Sequence, residues 1–290
     1  MIEQRICIVG LGLMGGSLAL ALRPYCSYLT AVDTNPRTIR RARRHLDHIT
    51  NDFAAGVADA DLVIFATPVR TVMDLIAKLP EVRPDGCMVF DLGSTKTDIC
   101  QHMEALPEVF QAMGGHPMCG KETSGFESAT AALFRKQTFI LCRNSRTTDL
   151  MADLAYEIVT TIGAMPIYLD PGEHDGIVAL VSHLPYLVSA ALMGQASAGA
   201  EESDYVWPIS SSGLRSTTRL AGSDPRMMLD ILLTNRPVVL AAVAEYERRV
   251  GEMRAMLETA DRKEIQRWLE KKQLERQVYI MQKNKLETDY

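Results

Sequence analysis

The chain has 290 residues, of which 47% are hydrophobic and 23% are charged, and its formal net charge is −5. This length is sufficient for two domains, and the composition is that of an ordinary soluble protein. The negative balance argues against a nucleic-acid-binding surface, which is normally basic. The one basic stretch, at positions 37–45, has helical spacing and is interpreted as an exposed helix face.

The six cysteines form no C-x-x-C pair, and several lie inside apolar runs. They are interpreted as buried, reduced thiols, so neither disulfides nor a metal site is predicted. The N-terminus carries no secretory signal, and no uninterrupted apolar stretch reaches the ~18 residues of a membrane span. We therefore expect a cytoplasmic protein that binds neither nucleic acid nor a membrane.

The first predicted strand, Ile6–Val9, leads directly into a glycine-rich turn and a helix. The spacing of the glycines is G-x-G-x-x-G, which allows a tight turn, close approach of a pyrophosphate and packing of the helix on the strand. The N-terminus of the helix then directs its free N–H groups at the phosphates. The cofactor-binding residues predicted in this turn are Gly10, Gly12, Leu13, Met14 and Gly15.

A second predicted strand, Leu29–Val32, ends at Asp33. A carboxylate at this point accepts hydrogen bonds from the adenine ribose hydroxyls and repels a 2′-phosphate, which favours NAD over NADP. The alternative is that Arg37 and the arginines after it bind a 2′-phosphate. We interpret those arginines as the solvated face of the next helix.

Strand and helix patterns alternate up to about residue 170, which predicts a doubly wound, mostly parallel α/β sheet. The further predicted strands are Leu62–Ala66, Cys87–Asp91, Thr138–Cys142 and Pro166–Leu169. Three long helices are predicted after them, at 173–198, 225–258 and 261–283. We place a boundary near Asp170–Gly172, between a dinucleotide-binding domain (1–170) and an all-helical domain for substrate binding and homodimerisation (171–290).

Three segments are expected at the edge where parallel sheets bind ligands, after the carboxyl ends of the strands. Thr67 and Pro68 are expected near the nicotinamide ribose, although an ordinary loop has the same residues. Ser94 places a hydroxyl at a predicted helix start, where the alternative role is that of an N-cap. His116, between glycines and a proline, is suited to proton transfer, although an exposed loop histidine is the alternative.

The helical half adds two further candidates. His183 lies on an apolar helix beside Pro185, which has no N–H for the carbonyl of Val181 and should kink the helix there. A lone histidine of this kind is more often a satisfied core residue. The segment 211–219 contains Arg215 and Arg219, whose guanidinium groups suit carboxylate binding.

The motifs GLGLMGGS, DLGSTK, GHPMCGKE, EHD followed by SHLP, and SGLRSTTR occur in this order. Together they resemble the prephenate and arogenate dehydrogenase family and cover nearly the whole chain. The resemblance implies an oxidative decarboxylation in tyrosine biosynthesis, in which hydride leaves C4 of a cyclohexadienol and the ring carboxylate leaves as CO2. The product is 4-hydroxyphenylpyruvate from prephenate or tyrosine from arogenate, and the implied cofactor is NAD.

The resemblance also implies roles for individual residues. His116 accepts the proton of the C4 hydroxyl, Ser94 aligns this histidine with the hydroxyl, and Arg219 binds a substrate carboxylate. The other implied substrate-binding residues are His183, Glu122 and Tyr186. Some prephenate-specific members have a histidine where this chain has Tyr186, which leaves the choice between prephenate and arogenate open.

Three other functions are weighed against this one. The β-hydroxyacid dehydrogenases begin with a similar turn but use a lysine in the second domain, and this chain has no lysine between Lys136 and Lys263. A non-catalytic NAD sensor would not need His116, Ser94 and Arg219 together. A relative that acts on 4-amino-4-deoxyprephenate remains an open alternative.

Overall fold

A computed structural model describes residues 1–121 and 123–288, with side chains as far as residue 285. Its contacts divide the chain into a first compact unit, Met1–Arg236, and a second unit that begins at Pro237. The first unit contains the sheet and the helices up to residue 234. The second unit contains most of one long helix and all of another.

Eight strands form one sheet in the order β3-β2-β1-β4-β5-β6-β7-β8. All neighbours are parallel except β6 and β7, which are antiparallel. The strands are β1 (Ile6–Val9), β2 (Leu29–Val32), β3 (His48–Thr50), β4 (Leu62–Phe65), β5 (Met88–Asp91), β6 (Gln111–Pro117), β7 (Thr138–Cys142) and β8 (Met165–Tyr168). The prediction of a doubly wound, mostly parallel sheet is confirmed.

Helices cover both faces of the sheet. Alternate residues of β1 enter different core clusters, Ile6 and Ile8 one and Cys7 and Val9 the other, as the two-residue period of a strand requires. The helices up to β8 are α1 (Leu13–Leu22), α2 (Pro36–Ala42), α3 (Phe53–Val57), α4 (Val69–Val82), α5 (Thr97–Glu104) and α6 (Asp149–Thr161). Those after β8 are α7 (Pro171–Val178), α8 (Leu184–Glu202), α9 (Val206–Ile209), α10 (Ser212–Thr217), α11 (Pro225–Thr234), α12 (Arg236–Thr259) and α13 (Arg262–Thr288).

Strands β3 and β6 were not predicted, and β6 changes the setting of His116. This histidine lies on a strand, not in a loop. Two glycines precede it because the strand packs closely: a Cβ on Gly115 would lie 2.6 Å from the Asp91 carbonyl oxygen, and one on Gly114 would lie 2.9 Å from the Cys100 sulfur. Glycine inside a strand is typical of such a close backbone approach.

The helix predicted at 173–198 is interrupted by a π turn over Ala179–His183, which ends two residues before Pro185. The N–H of Leu184 donates to the Ala179 carbonyl five residues earlier, and this wider turn accommodates the missing N–H of Pro185. One 18-residue window within Pro171–Glu202 has a mean hydropathy of 1.8, so by length and composition alone this stretch meets the criterion for a membrane span, which apolar core helices of soluble proteins also meet. The sequence prediction had not identified such a stretch.

The helix predicted at 225–258 is two helices. Helix α11 ends at Thr234, Asn235 lies in the break, and α12 begins at Arg236. Pro237 has no N–H for the carbonyl of Leu233, which prevents one continuous helix. The break places the Asn235 side chain in the interior, where it is only 2% exposed.

Candidate active site

The glycine turn and the end of β2 form the first part of the site. Gly10 has a φ of +95°, and a Cβ on Gly15 would lie 1.9 Å from the Gly10 carbonyl oxygen, so both positions require glycine. The Asp33 carboxylate accepts hydrogen bonds from the backbone N–H of Leu11 and of Asn35, both at 2.8 Å. Each carboxylate oxygen retains a lone pair for a ribose hydroxyl.

The end of β4 faces the same turn. A Cβ on Gly10 would lie 2.7 Å from Thr67 Cγ2, whereas the space above Gly12 is open for 4 Å. The Thr67 hydroxyl oxygen is buried without a hydrogen-bond partner among the described residues. Pro68 follows as the residue before α4. The open space above Gly12 and the unpartnered Thr67 hydroxyl fit a bound dinucleotide, whose polar atoms would supply the missing hydrogen-bond partner.

A buried ion pair joins the ends of β5 and β6. The Lys96 ammonium is fully buried, pairs with the Asp91 carboxylate and donates to the Gly115 carbonyl at 2.7 Å. Asp91 also accepts from the N–H of Gly93 at 2.7 Å and of Gly115 at 3.1 Å. This network holds the backbone next to His116 in place, because a buried charge is stable only when it is paired and hydrogen-bonded.

His116 is the first residue of a hydrogen-bonded relay. Its Nδ1 lies 2.8 Å from Nε2 of His174, and Nδ1 of His174 lies 2.8 Å from Oδ1 of Asp175. The Asp175 carboxylate also accepts from the backbone N–H of Lys96 at 2.8 Å and of Thr97 at 2.9 Å, at the N-terminus of α5. We call this row, His116, His174 and Asp175, the histidine relay.

The ionisation of Asp175 fixes the protons along the relay. Burial raises the pKa of Asp175, but hydrogen bonds from His174, Thr97 and Lys96 outweigh it and leave the pKa below its usual value. An ionised carboxylate only accepts, so Nδ1 of His174 is the donor and its Nε2 is an acceptor. His116 must then donate from Nδ1, which leaves the lone pair of its Nε2 available to a substrate.

Burial lowers the pKa of His116 well below its usual value, and the nearby Lys96 ammonium lowers it further. A neutral imidazole with an unoccupied Nε2 is a general base. The relay therefore prepares His116 to accept a proton at neutral pH.

His183 lies close to the relay and is only 2% exposed. Burial lowers its pKa to about 4, so it is neutral at neutral pH. Its Nδ1 lies 3.3 Å from Nδ2 of Asn235, which also donates to the Asp175 carbonyl oxygen at 2.8 Å. Asp175 is thus linked to two further histidines. Its carboxylate is linked to His116 through His174, and its carbonyl is linked to His183 through Asn235.

Acid should destabilise the fold through His183. Its pKa is about 4 when folded and 6.5 as a model value, so between these values the unfolded chain binds more protons and stability falls as the pH falls. We expect Tm to decrease from pH 6.5 to pH 4, and to decrease less steeply in His183→Gln. Equal slopes for the two proteins, measured by thermal unfolding across this range, would contradict the assignment.

The remaining sequence candidates lie as follows. Ser94 is half-buried between β5 and α5, and its hydroxyl has no hydrogen bond to another described residue; α5 begins three residues later, so Ser94 is not its N-cap. The bond from Ser94 to His116 that the resemblance implies is absent, and His174 holds the histidine. Tyr186 is half-buried on α8, Arg219 is exposed at the start of a 3-10 turn, and Glu122 lies outside the described residues.

Sequence reasoning missed His174, Asp175 and Asn235 as site residues. The first two are adjacent in the EHD motif, in the first two turns of a helix that Asp170 caps. The sequence signal for this pair was a histidine followed by an aspartate, close to a helix start that Asp170 can cap. Asn235 had none, because its position depends on the break between α11 and α12.

Two family models match the chain. The nucleotide-binding domain of prephenate dehydrogenase matches residues 18–168, and its dimerization domain matches residues 170–271. Among curated proteins, a prephenate dehydrogenase from Bacillus subtilis is 30% identical over 276 residues, which are 92% of this chain and 73% of that protein.

Two solved structures are similar over almost their whole length. Prephenate dehydrogenase from Aquifex aeolicus, in complex with hydroxyphenyl propionate and NAD+, has a TM-score of 0.89 and 30% identity, covering 96% of this chain and 99% of that chain. Arogenate dehydrogenase from Synechocystis has a TM-score of 0.79 and 27% identity, covering 95% and 99%.

Proposed function

Because the chain belongs to the prephenate dehydrogenase family, we propose that it converts prephenate to 4-hydroxyphenylpyruvate by NAD-dependent oxidative decarboxylation. The observation that carries this proposal is the histidine relay, which leaves Nε2 of His116 as a neutral proton acceptor. Oxidation of an alcohol needs such an acceptor. The similar Aquifex enzyme was solved with NAD+ and an aromatic carboxylic acid, which supports the same ligand classes for this chain.

We infer the course of the reaction from the family resemblance and from the proton assignment of His116. Bound NAD supplies the acceptor for the hydride that leaves C4. Nε2 of His116 takes the proton of the C4 hydroxyl, whose oxygen becomes a carbonyl in the dienone form of the ring. The bond from C1 to the carboxylate breaks, CO2 leaves, and the electron pair of that bond completes the aromatic phenolate. The positive charge that forms on His116 is stabilised by Asp175 through His174.

Arogenate dehydrogenase activity, alone or together with prephenate dehydrogenase activity, is the second candidate. It is favoured by the similarity to the Synechocystis enzyme and by Tyr186, which stands where some prephenate-specific members have histidine. Steady-state kinetics with prephenate, arogenate and 4-amino-4-deoxyprephenate, each with NAD and with NADP, tests the proposal. A higher kcat/KM for prephenate with NAD is the expected result, and a higher value for another substrate reassigns the specificity.

We expect Asp33 to determine the preference for NAD. Replacing it with asparagine keeps one acceptor oxygen, which can serve the N–H of Leu11 or of Asn35 but not both, and removes the charge that repels a 2′-phosphate. The ratio of kcat/KM for NAD to that for NADP should therefore fall. Asp33→Ser should reduce NAD use further, because it also removes the bonds to the glycine turn. A native enzyme that prefers NADP would indicate that Arg37 dominates.

We expect Arg219 to bind a substrate carboxylate. Arg219→Ala should raise KM for the substrate roughly ten- to hundredfold, since a hydrogen bond to a charged group contributes about 1.5 to 3 kcal/mol. Arg219→Lys should restore only part of the affinity, because an ammonium does not reproduce the planar fork. Arg215→Ala is the matched control, with a smaller effect on KM. If Arg215→Ala raises KM strongly and Arg219→Ala does not, Arg215 is the residue that binds the substrate carboxylate.

We also propose the division into a dinucleotide-binding domain (1–170) and a helical substrate-binding domain (171–290), with homodimerisation through the latter. The match to a dimerization domain supports the dimer, as do exposed apolar side chains in the part of the chain that follows β8. Examples are Leu180, Val181, Leu229, Leu240 and Leu274, each more than half exposed. A cytoplasmic location is consistent with the six free thiols.

A further inference from the structure

Asn235 has no counterpart among the residues that the family resemblance implies, yet it is buried at the centre of the site. Its Nδ2 donates to the Asp175 carbonyl at 2.8 Å and lies 3.3 Å from Nδ1 of His183. A carbonyl oxygen only accepts, so the amide nitrogen, not the amide oxygen, must occupy this position. The orientation of the Asn235 side chain is therefore fixed by chemistry.

The same nitrogen determines the proton on His183. An amide nitrogen donates and does not accept, so Nδ1 of His183 must be the acceptor. A neutral imidazole carries one ring proton, which then belongs to Nε2. His116 has the opposite arrangement, because its Nδ1 donates to His174. Among the residues that the structure describes, no hydrogen bond occupies Nε2 of either histidine.

We propose that Asn235 is a positioning residue that holds His183 in the Nε2–H tautomer, so that the site offers one imidazole acceptor, His116, and one imidazole donor, His183. The donor serves a substrate oxygen, which for a dianionic substrate is a carboxylate oxygen; this last step rests on the proposed function. Asp175 acts on both His116 and His183. Its carboxylate sets the tautomer of His116 through His174, and its carbonyl orients Asn235, which sets the tautomer of His183.

The tautomers can be read directly by NMR of the full-length protein labelled with 15N-histidine, without any activity. At pH 7 the His183 resonance, assigned by its loss in His183→Gln, should show a pyridine-like Nδ1 and a protonated, pyrrole-like Nε2. A protonated Nδ1 in the unmodified protein overturns the proposal. Because this readout needs no turnover, it remains valid if the enzyme oxidises a different substrate.

Asn235→Asp and Thr234→Val form a matched pair of variants. The aspartate accepts from His183 Nδ1–H, so the Nε2-only tautomer should be lost and KM for the substrate should rise roughly three- to tenfold, with KM for NAD unchanged. Thr234→Val removes the hydroxyl contact of 2.9 Å with Thr95 at the same helix end and should change neither the His183 spectrum nor KM. Asn235→Asp overturns the proposal if it leaves the His183 tautomer unchanged, or if it changes the tautomer without changing KM.

Discussion

Replacing His116 with asparagine is expected to lower kcat by about 10² to 10⁴, the usual contribution of a general base. The loss should fall on the chemical step, because His116 lies on β6 and the glycine turn that we propose to bind NAD lies after β1. Steady-state kinetics gives kcat, and a titration monitored by protein fluorescence gives Kd for NAD, which should stay within about twofold.

The matched control is His102→Asn. His102 lies exposed on α5, and the one hydrogen bond of its side chain to another described residue is with the Asp98 carbonyl, so kcat should not change. The assignment of His116 as the base is wrong if its replacement barely changes kcat. It is also wrong if NAD binding is lost in parallel, since the histidine would then serve the cofactor site.

Asp175→Asn is expected to lower kcat by about 10² to 10³ while KM changes little. An amide has only one acceptor oxygen for the N–H groups of Lys96, Thr97 and His174. When its nitrogen faces His174 Nδ1 it donates there, which inverts the donors and acceptors along the relay and leaves His116 with its proton on Nε2. In the serine-protease triad the equivalent change from aspartate to asparagine costs about 10⁴ in kcat. We expect a smaller loss because Asp175 acts through one additional imidazole.

Two further variants separate this effect from loss of stability. His174→Phe keeps an aromatic ring but removes the acceptor for His116 Nδ1, and like Asp175→Asn it should lower kcat. Asp170→Ala removes the cap that accepts from the N–H groups of Gly172 and Glu173; it should lower Tm by weakening α7 and leave kcat nearly unchanged. If Asp170→Ala and Asp175→Asn reduce kcat equally, the relay has no role beyond folding.

Local sequence patterns were sufficient to predict most strands of the sheet. Strand β1 was predicted with its observed bounds because a short apolar run meets a glycine turn, and β7 because its run of apolar residues is uninterrupted. The short strand β3 and the glycine-rich β6 lack such a run. Their pairing depends on neighbours distant in the chain, such as Asp91 against Gly115, and no local pattern encodes that contact.

The site could be predicted in part. The candidate His116 came from its unusual flanking residues, but its partner His174 lies 58 positions later, and a helical histidine beside an aspartate has the same pattern as an ordinary surface helix. The position of Asn235 required the break after α11, which Pro237 produces. The hydrogen bonds that Asp33 accepts from the N–H groups of Leu11 and Asn35 could not be predicted either. They depend on the conformation of the turn and not on residue type.

The central claim, oxidation coupled to decarboxylation, is tested most directly by stoichiometry. Prephenate labelled with 13C at the ring carboxylate is incubated with NAD and the purified protein, while NADH, labelled CO2 and 4-hydroxyphenylpyruvate are measured together. We expect equal amounts of all three, formed about 10² to 10⁴ times more slowly with His116→Asn. Labelled CO2 without NADH, or no NADH from either prephenate or arogenate, would contradict it.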